Sequence, residues 1–275
     1  MKIGKATVPE SAICGADDAT IVVRGRDLCR DLIGRLSFTD YFWLLVTGAA
    51  PGAAASRVLD ATLVAIAEHG LVPSVQASRM TLAAAPEAIQ GAVAAGILGC
   101  GSVILGASES AGRMLLRIDA LARARALPFD DAVDDAVAEV VRELRAQKQS
   151  IPGYGHPQHK ERDPRVARLF EVAAEAGAST RFVGIAQAVE RLLPALTGRD
   201  LRLNVSAAIP AVLLDVGFPA EALKGVPILA RTAGLIGHLT EELAHPIGFA
   251  LSYQATREQR YTGALPAGVT LKRAG

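Results

Sequence analysis

The sequence predicts an all-α protein, and three observations carry that expectation. Apolar residues recur at helical spacing through most of the 275 residues. Glycine and proline punctuate the pattern at intervals that suit helix ends. Alternating strand–helix units are absent, which excludes a doubly wound nucleotide fold. Only 19–24 reads as a short extended piece.

The elements follow in order. Ser37 or Thr39 caps a helix through Tyr41, Phe42, Trp43, Leu44 and Leu45, closed by Gly48 and Pro51. The helix over 54–68 lines up Val58, Leu59, Leu63 and Ile66 and ends at His69-Gly70. Further helices fit 74–85, 86–98, 110–126, 130–147, 164–176, 182–196, 206–216 and 226–243. The stretch 88–108 has no charged residue and approaches the roughly 20 residues that span a bilayer. Gly91, Gly96, Gly99, Gly101 and Gly106 interrupt it, so it is expected as a buried helix ending near Gly99 in a soluble, membrane-free protein.

Composition narrows the function. The formal net charge of +1 leaves no footprint for nucleic acid and no polybasic membrane patch. Anionic ligands must be held by a few placed cations. Cys14, Cys29 and Cys100 form no C-x-x-C pair and are expected as reduced, buried thiols of a cytoplasmic protein, with no metal site. The N-terminus lacks the apolar core of a signal peptide. The length permits one large domain or two unequal ones.

Two segments interrupt the helices: 148–157 and 197–204. In the first, Gly153 and Gly155 free the backbone for positive φ and let a ligand approach the main chain. His156 is then presented from a loop. Asp163 caps the next helix with Pro164 in its first turn, and Arg165 lies where a helix N-terminus favours an anion. The same residues also suit a plain Gly/Pro loop followed by a capped helix.

Pro152-Gly153-Tyr154-Gly155-His156 with Asp163-Pro164-Arg165 resembles the P-G-F-G-H…D-P-R signature of citrate synthases and their relatives. His69-Gly70-Leu71 through Ser74 to Arg79 resembles the H-G-L-x-x-S-x-x-A-x-R helix start of that family. Residues 101–107, Asn204-Val205-Ser206 and Arg231-Thr232-Ala233-Gly234 sit where the family has G-x-x-H-G-G-A, N-V-D and R-x-x-G. The opening 10–13 and 23–28, with Glu241-Glu242 and Pro246-Ile247-Gly248-Phe249, resemble citryl-CoA lyase-like proteins and the synthase-like module of ATP citrate lyase.

The resemblance implies an all-α citrate synthase fold. A large, dimer-forming part comprises 1–107 with 216–275, and a smaller part, 108–215, carries the ligand loop. It implies a homodimer acting on a small carboxylate and an acyl-CoA, with coenzyme A thioester as substrate and no covalent cofactor. His156 matches the histidine on the ketone oxygen of oxaloacetate, or the alcohol of citryl-CoA. Arg165 and Arg231 match arginines that grip the dicarboxylate, and His69 a histidine of the same pocket. Gln149, Ile151, Pro152, Gly153, Tyr154 and Gly155 match the loop around coenzyme A, with Lys148 and Lys160 as phosphate partners. His245 stands near where many members supply a closing arginine.

Two chemical positions depart from the family. Ile104 replaces the histidine that hydrogen-bonds the thioester oxygen, and Ser206 replaces the aspartate that moves the methyl proton. Glu109 is the candidate replacement; Asp215, nine residues past Ser206, lies roughly 13–14 Å along a helix and is too far. Glu241 and Glu242 read as a solvated helix end, His159 as surface and His238 as helix packing. The implied activity is an acyl-CoA carbon–carbon lyase or synthase. The alternative is a catalytically silent CoA-ester-binding paralogue with a regulatory or partner role.

Overall fold

The computed structural model describes residues 9–101, 105–155 and 163–271. Among them are eleven α-helices and a three-stranded sheet, so the all-α expectation holds apart from one small meander. The chain forms two compact units, Met1–Thr62 with Ala107–Lys224, and Leu63–Gly106 with Gly225–Gly275. These packing units divide the chain differently from the ligand-carrying and dimer-forming parts that the family resemblance implies, which concern the segments that act together on ligand.

The first unit opens with β1 (Cys14–Ala16), β2 (Ile21–Val23) and β3 (Arg26–Asp27), paired antiparallel in that order. Val23 pairs with Arg26 across a two-residue turn, in which Arg24 and Gly25 have φ of 49° and 76°. Two positive φ values give the primed turn whose twist matches the strands. Arg24 then donates from Nε to Leu45 O at 3.0 Å, tying the sheet to α1 (Phe38–Thr47). A π-helical turn, Leu28–Leu32, lies between them. As predicted, Ser37 caps α1, its oxygen accepting from Asp40 N, and Gly48 ends it at φ 80°.

After α2 (Ala53–Ala67), whose first part belongs here, the unit resumes with α5 (Gly106–Arg123) and α6 (Phe129–Ala146). It closes with α7 (Pro164–Glu175), α8 (Arg181–Thr197) and α9 (Val205–Asp215). Helix α9 is its centre: Val205 and every residue from 207 to 213 are buried. Only close-fitting neighbours can reach it, and a Cβ on Gly112 of α5 would stand 3.1 Å from Pro210 Cβ. Trp43 and Phe218 pack edge to face at 5.3 Å between ring centres. Asp215 ends α9 by accepting from Phe182 N and Val183 N, so it caps α8.

The second unit contains the end of α2, with α3 (Pro73–Ala84), α4 (Ile89–Leu98), α10 (Gly225–Ala244) and α11 (Gly248–Glu258). Leu82, Ala92 and Leu239 form its core. Helix α4 was expected to be buried, but only Ala92 and Gly96 are, and Leu98 is 85% exposed. Its small residues let α3 and α10 approach on one side, while the other side stays open. Helix α11, not anticipated from the sequence, starts at Gly248, where a Cβ would stand 2.6 Å from Arg79 O.

Glu242 corrects a second expectation. It is 3% exposed, not solvated, because Oε2 accepts from Arg79 Nε at 2.7 Å while Oε1 accepts from Ile247 N and Gly248 N. Burial pushes its carboxyl up, but the Arg79 guanidinium and the two amides outweigh that and hold it below the usual range. A third correction concerns the thiols: Cys14, on β1, and Cys29, on the π-helical turn after the meander, are exposed, and only Cys100 is buried. No helix among the described residues is long and apolar enough to cross a membrane.

Candidate active site

In the first unit the candidate loop is fastened to the start of α9. The turn after α6 reverses at Lys148, φ 57°, and Gln149 N reaches back to Leu144 O. Ile151 and Tyr154 point inward, and the Tyr154 hydroxyl donates to Ala186 O at 2.8 Å. Burial, then the neighbouring Glu190 carboxylate, raises the Tyr154 phenol well above its ordinary value, so it stays a donor. Tyr154 bridges Leu203, with Asn204 N donating to Gly153 O at 3.0 Å and Gly155 N to Arg202 O at 2.7 Å. Gly153 is required twice. Its φ is +84°, and a Cβ would stand 2.5 Å from Ala207 Cβ.

Asn204 ties the loop to the start of α9. Its Nδ2 donates to Gly155 O at 2.6 Å, and its Oδ1 accepts from Ser206 N at 2.9 Å as the α9 cap. Val205 N is taken by Asp163 Oδ2 at 3.1 Å. Asp163 also holds Arg165 bidentately, Nε to Oδ1 at 2.9 Å and Nη2 to Oδ2 at 2.8 Å. Asp163 is thus the predicted cap of α7, and it also joins the Asp163-Pro164-Arg165 and Asn204-Val205-Ser206 segments. Burial pushes its carboxyl up, but the Arg165 guanidinium and the amides of Arg165 and Val205 hold it below the usual carboxylate range.

Ser206 stands in the first turn of α9, half-buried. Pro210 has no N–H, so the Ser206 carbonyl lacks its helical donor four residues on. Among the described residues no carboxylate or imidazole is hydrogen-bonded to the Ser206 hydroxyl. Glu109, in the first turn of α5, is ion-paired with Arg113 at 2.6 Å. His156, Lys160 and His159, with Ile104, lie outside the described residues.

The remaining candidates are in the second unit. His69 sits on the turn after α2, where Glu68 Oε1 accepts from His69 N and Gly70 N at 2.8 and 2.5 Å. Glu68 Oε2 lies 2.9 Å from His238 Nε2, and His238 Nδ1 lies 3.2 Å from Arg79 Nη1. Arginine can only donate, so Nδ1 is the accepting nitrogen of that ring. A charged network therefore runs from the His69 turn to Glu242, and His238 is part of it rather than mere packing. His245 is exposed at the end of α10. Arg231 is different. It is 6% exposed, and neither its Nε nor its Nη1 has a hydrogen-bond partner among the described residues.

Known proteins share this fold. The family model for the citrate synthase C-terminal domain matches residues 34–247, and the chain belongs to the citrate synthase family. The citryl-CoA lyase of Hydrogenobacter thermophilus superposes with a TM-score of 0.82 at 31% identity, over 96% of this chain and 98% of that one. The ATP citrate lyase of Methanothrix soehngenii, in complex with citrate and coenzyme A, shares the fold. Its TM-score is 0.74 at 23% identity, over 98% of this chain and 44% of that one. A citrate synthase-like protein of Aspergillus oryzae is 29% identical over 81% of this chain and 49% of its own length. The chain spans about half the length of the curated relatives it matches most clearly.

Proposed function

We propose that this chain is an acyl-CoA carbon–carbon lyase or synthase of the citryl-CoA lyase or citrate synthase type. It cleaves or forms a 3-hydroxyacyl-CoA such as citryl-CoA, to or from acetyl-CoA and oxaloacetate. The observation that carries the reading is Arg231, a buried guanidinium whose Nε and Nη1 have no partner, and which has no counter-ion, among the described residues. Burying an unpaired charge is costly, and a substrate carboxylate supplies what the fold withholds.

In the cleavage direction His156 accepts the alcohol proton, the oxygen's electron pair closes the ketone of oxaloacetate, and the carbon–carbon bond breaks toward the thioester. The resulting enolate takes a proton at carbon to give acetyl-CoA. Arg165 and Arg231 hold carboxylates, with His69 and His245 as further polar groups. Gln149, Ile151, Pro152, Gly153, Tyr154 and Gly155 surround coenzyme A, and Lys148 and Lys160 face its phosphates. Ser206 donates a hydrogen bond to the developing oxyanion, a task open to a hydroxyl that is too weak to be the base. Glu109 moves the proton at carbon. Segment 108–215 acts as the ligand-carrying part, and 1–107 with 216–275 as the homodimer-forming part, working in the cytoplasm.

The test is cleavage of citryl-CoA by purified protein, followed as acetyl-CoA and oxaloacetate, with His156→Ala as control. Turnover that falls by about 10²–10⁴ in the variant supports the reading. No turnover, with tight binding of the CoA ester retained, replaces it with a silent ester-binding protein.

A further inference from the structure

Three buried polar groups of the second unit meet, and two of them, Ser74 and Arg231, have too few partners among the described residues. Ser74, on the first turn of α3, is 3% exposed; Arg231 of α10 is 6% exposed; Cys100, just past α4, is 8% exposed. Gly96 permits the convergence, because a Cβ there would stand 2.8 Å from Ser74 O and 2.8 Å from a Leu235 methyl. Cys100, one turn on, gives its thiol proton to Gly96 O at 3.3 Å and has both Arg231 and Ser74 beside it. The Ser74 hydroxyl, like Arg231 Nε and Nη1, has no hydrogen-bond partner among the described residues.

The same unit shows what a structural arginine looks like. Arg79 is as deeply buried, yet Glu242, Glu241 and His238 face its guanidinium nitrogens. Among the described residues a buried cation is therefore paired where its purpose is packing, and Arg231 is not. Buried donors left open in this way are expected where an absent acceptor completes them. A guanidinium and a hydroxyl together call for an acceptor with negative charge and directional lone pairs. The thiol between them has already committed its proton and offers a compact, weakly polar wall.

We infer that Ser74 is the second donor of a carboxylate pocket within this unit, set beside Arg231 and walled by Cys100, which takes one carboxylate of a small keto- or hydroxy-acid. This rests on reading Arg231 as an anion-binding group, and it adds the residue that orients the anion. Removing a donor that is orphaned without ligand has an unusual signature: stability holds while affinity falls.

Wild type and Ser74→Ala are compared by thermal unfolding without ligand and by calorimetric titration with oxaloacetate. The expected result is an unfolding midpoint equal to or above wild type, with oxaloacetate bound about tenfold more weakly. Unchanged affinity overturns the inference, as does a wild type that binds no oxaloacetate. A lowered midpoint overturns it too, because the hydroxyl then serves packing. Citryl-CoA assays on the same samples separate the two readings. Ser74-dependent oxaloacetate binding without citryl-CoA cleavage keeps the pocket and removes the proposed reaction. Cleavage with unchanged affinity in the variant does the reverse.

Discussion

Replacing Asp163 by Asn tests the joint between the two motif segments of the first unit. The carboxylate takes four N–H donors, Arg165 N and Nε on Oδ1 and Arg165 Nη2 and Val205 N on Oδ2. Asparagine has one oxygen, so whichever way the amide turns, a pair of donors faces an NH2 group. Breaking a buried ion pair costs about 3–5 kcal/mol. Arg165 keeps 21% of its side chain exposed and can regain water, so the low end applies, about 3 kcal/mol. At roughly 2 °C per kcal/mol for a chain of this size, the midpoint falls by about 6 °C at pH 7. The pH dependence has a definite sign. The native carboxyl is held below its ordinary value of 3.8, so its contribution is present above that pH and is lost as pH falls through the lower native value. Circular dichroism melts should therefore show a constant gap between variant and wild type from neutral pH down to about 4, closing below that. A shift under about 2 °C, or a gap that widens in acid, refutes the reasoning.

Two further pairs of substitutions test other joints. Glu242→Gln removes the buried partner of Arg79 and should cost about 3 kcal/mol, whereas Glu241→Gln, at a 59% exposed partner of the same arginine, should cost under about 1 kcal/mol; urea titrations giving equal values would count against the network. Gly153→Ala forces a Cβ against Ala207 at φ +84° and should abolish citryl-CoA turnover, while Gly177→Ala, at φ +70° in open space, pays only backbone strain of about 1 kcal/mol and keeps turnover.

Helix periodicity and capping residues made most of the fold legible. At helix ends Ser37, Gly48, Asp163 and Pro164 do what local chemistry dictates, because capping acts within four residues; the bond of Asp163 to Val205 N is not local and was not foreseen. Helix α11 escaped notice because its start depends on Glu242 and a close approach to Arg79 O, neither of which is local. The same limit applies to the site. Arg165, Arg231 and the Gly153–Gly155 loop could be singled out from motifs. Asn204 as a tie between that loop and α9 had only one sequence signal, its position two residues before Ser206 as a side-chain cap. Ser74 stood in the motif from His69 to Arg79 and Cys100 had no signal, but their meeting was not legible, since helix packing at Gly96 produces it.

The two packing units alternate along the chain, each containing a stretch from the N-terminal half and a stretch from the C-terminal half. During synthesis, 63–106 emerges before the second stretch of the first unit, and long before its own partners α10 and α11. Arg79 and Glu242 are 163 positions apart. Contacts of that separation form late, because a long loop must close before they reward it. Until then the nascent chain carries a cation without its counter-ion, and a helix, α4, with no charged residue and no α10 against it. That interval is when the protein is most prone to aggregation and most in need of a chaperone.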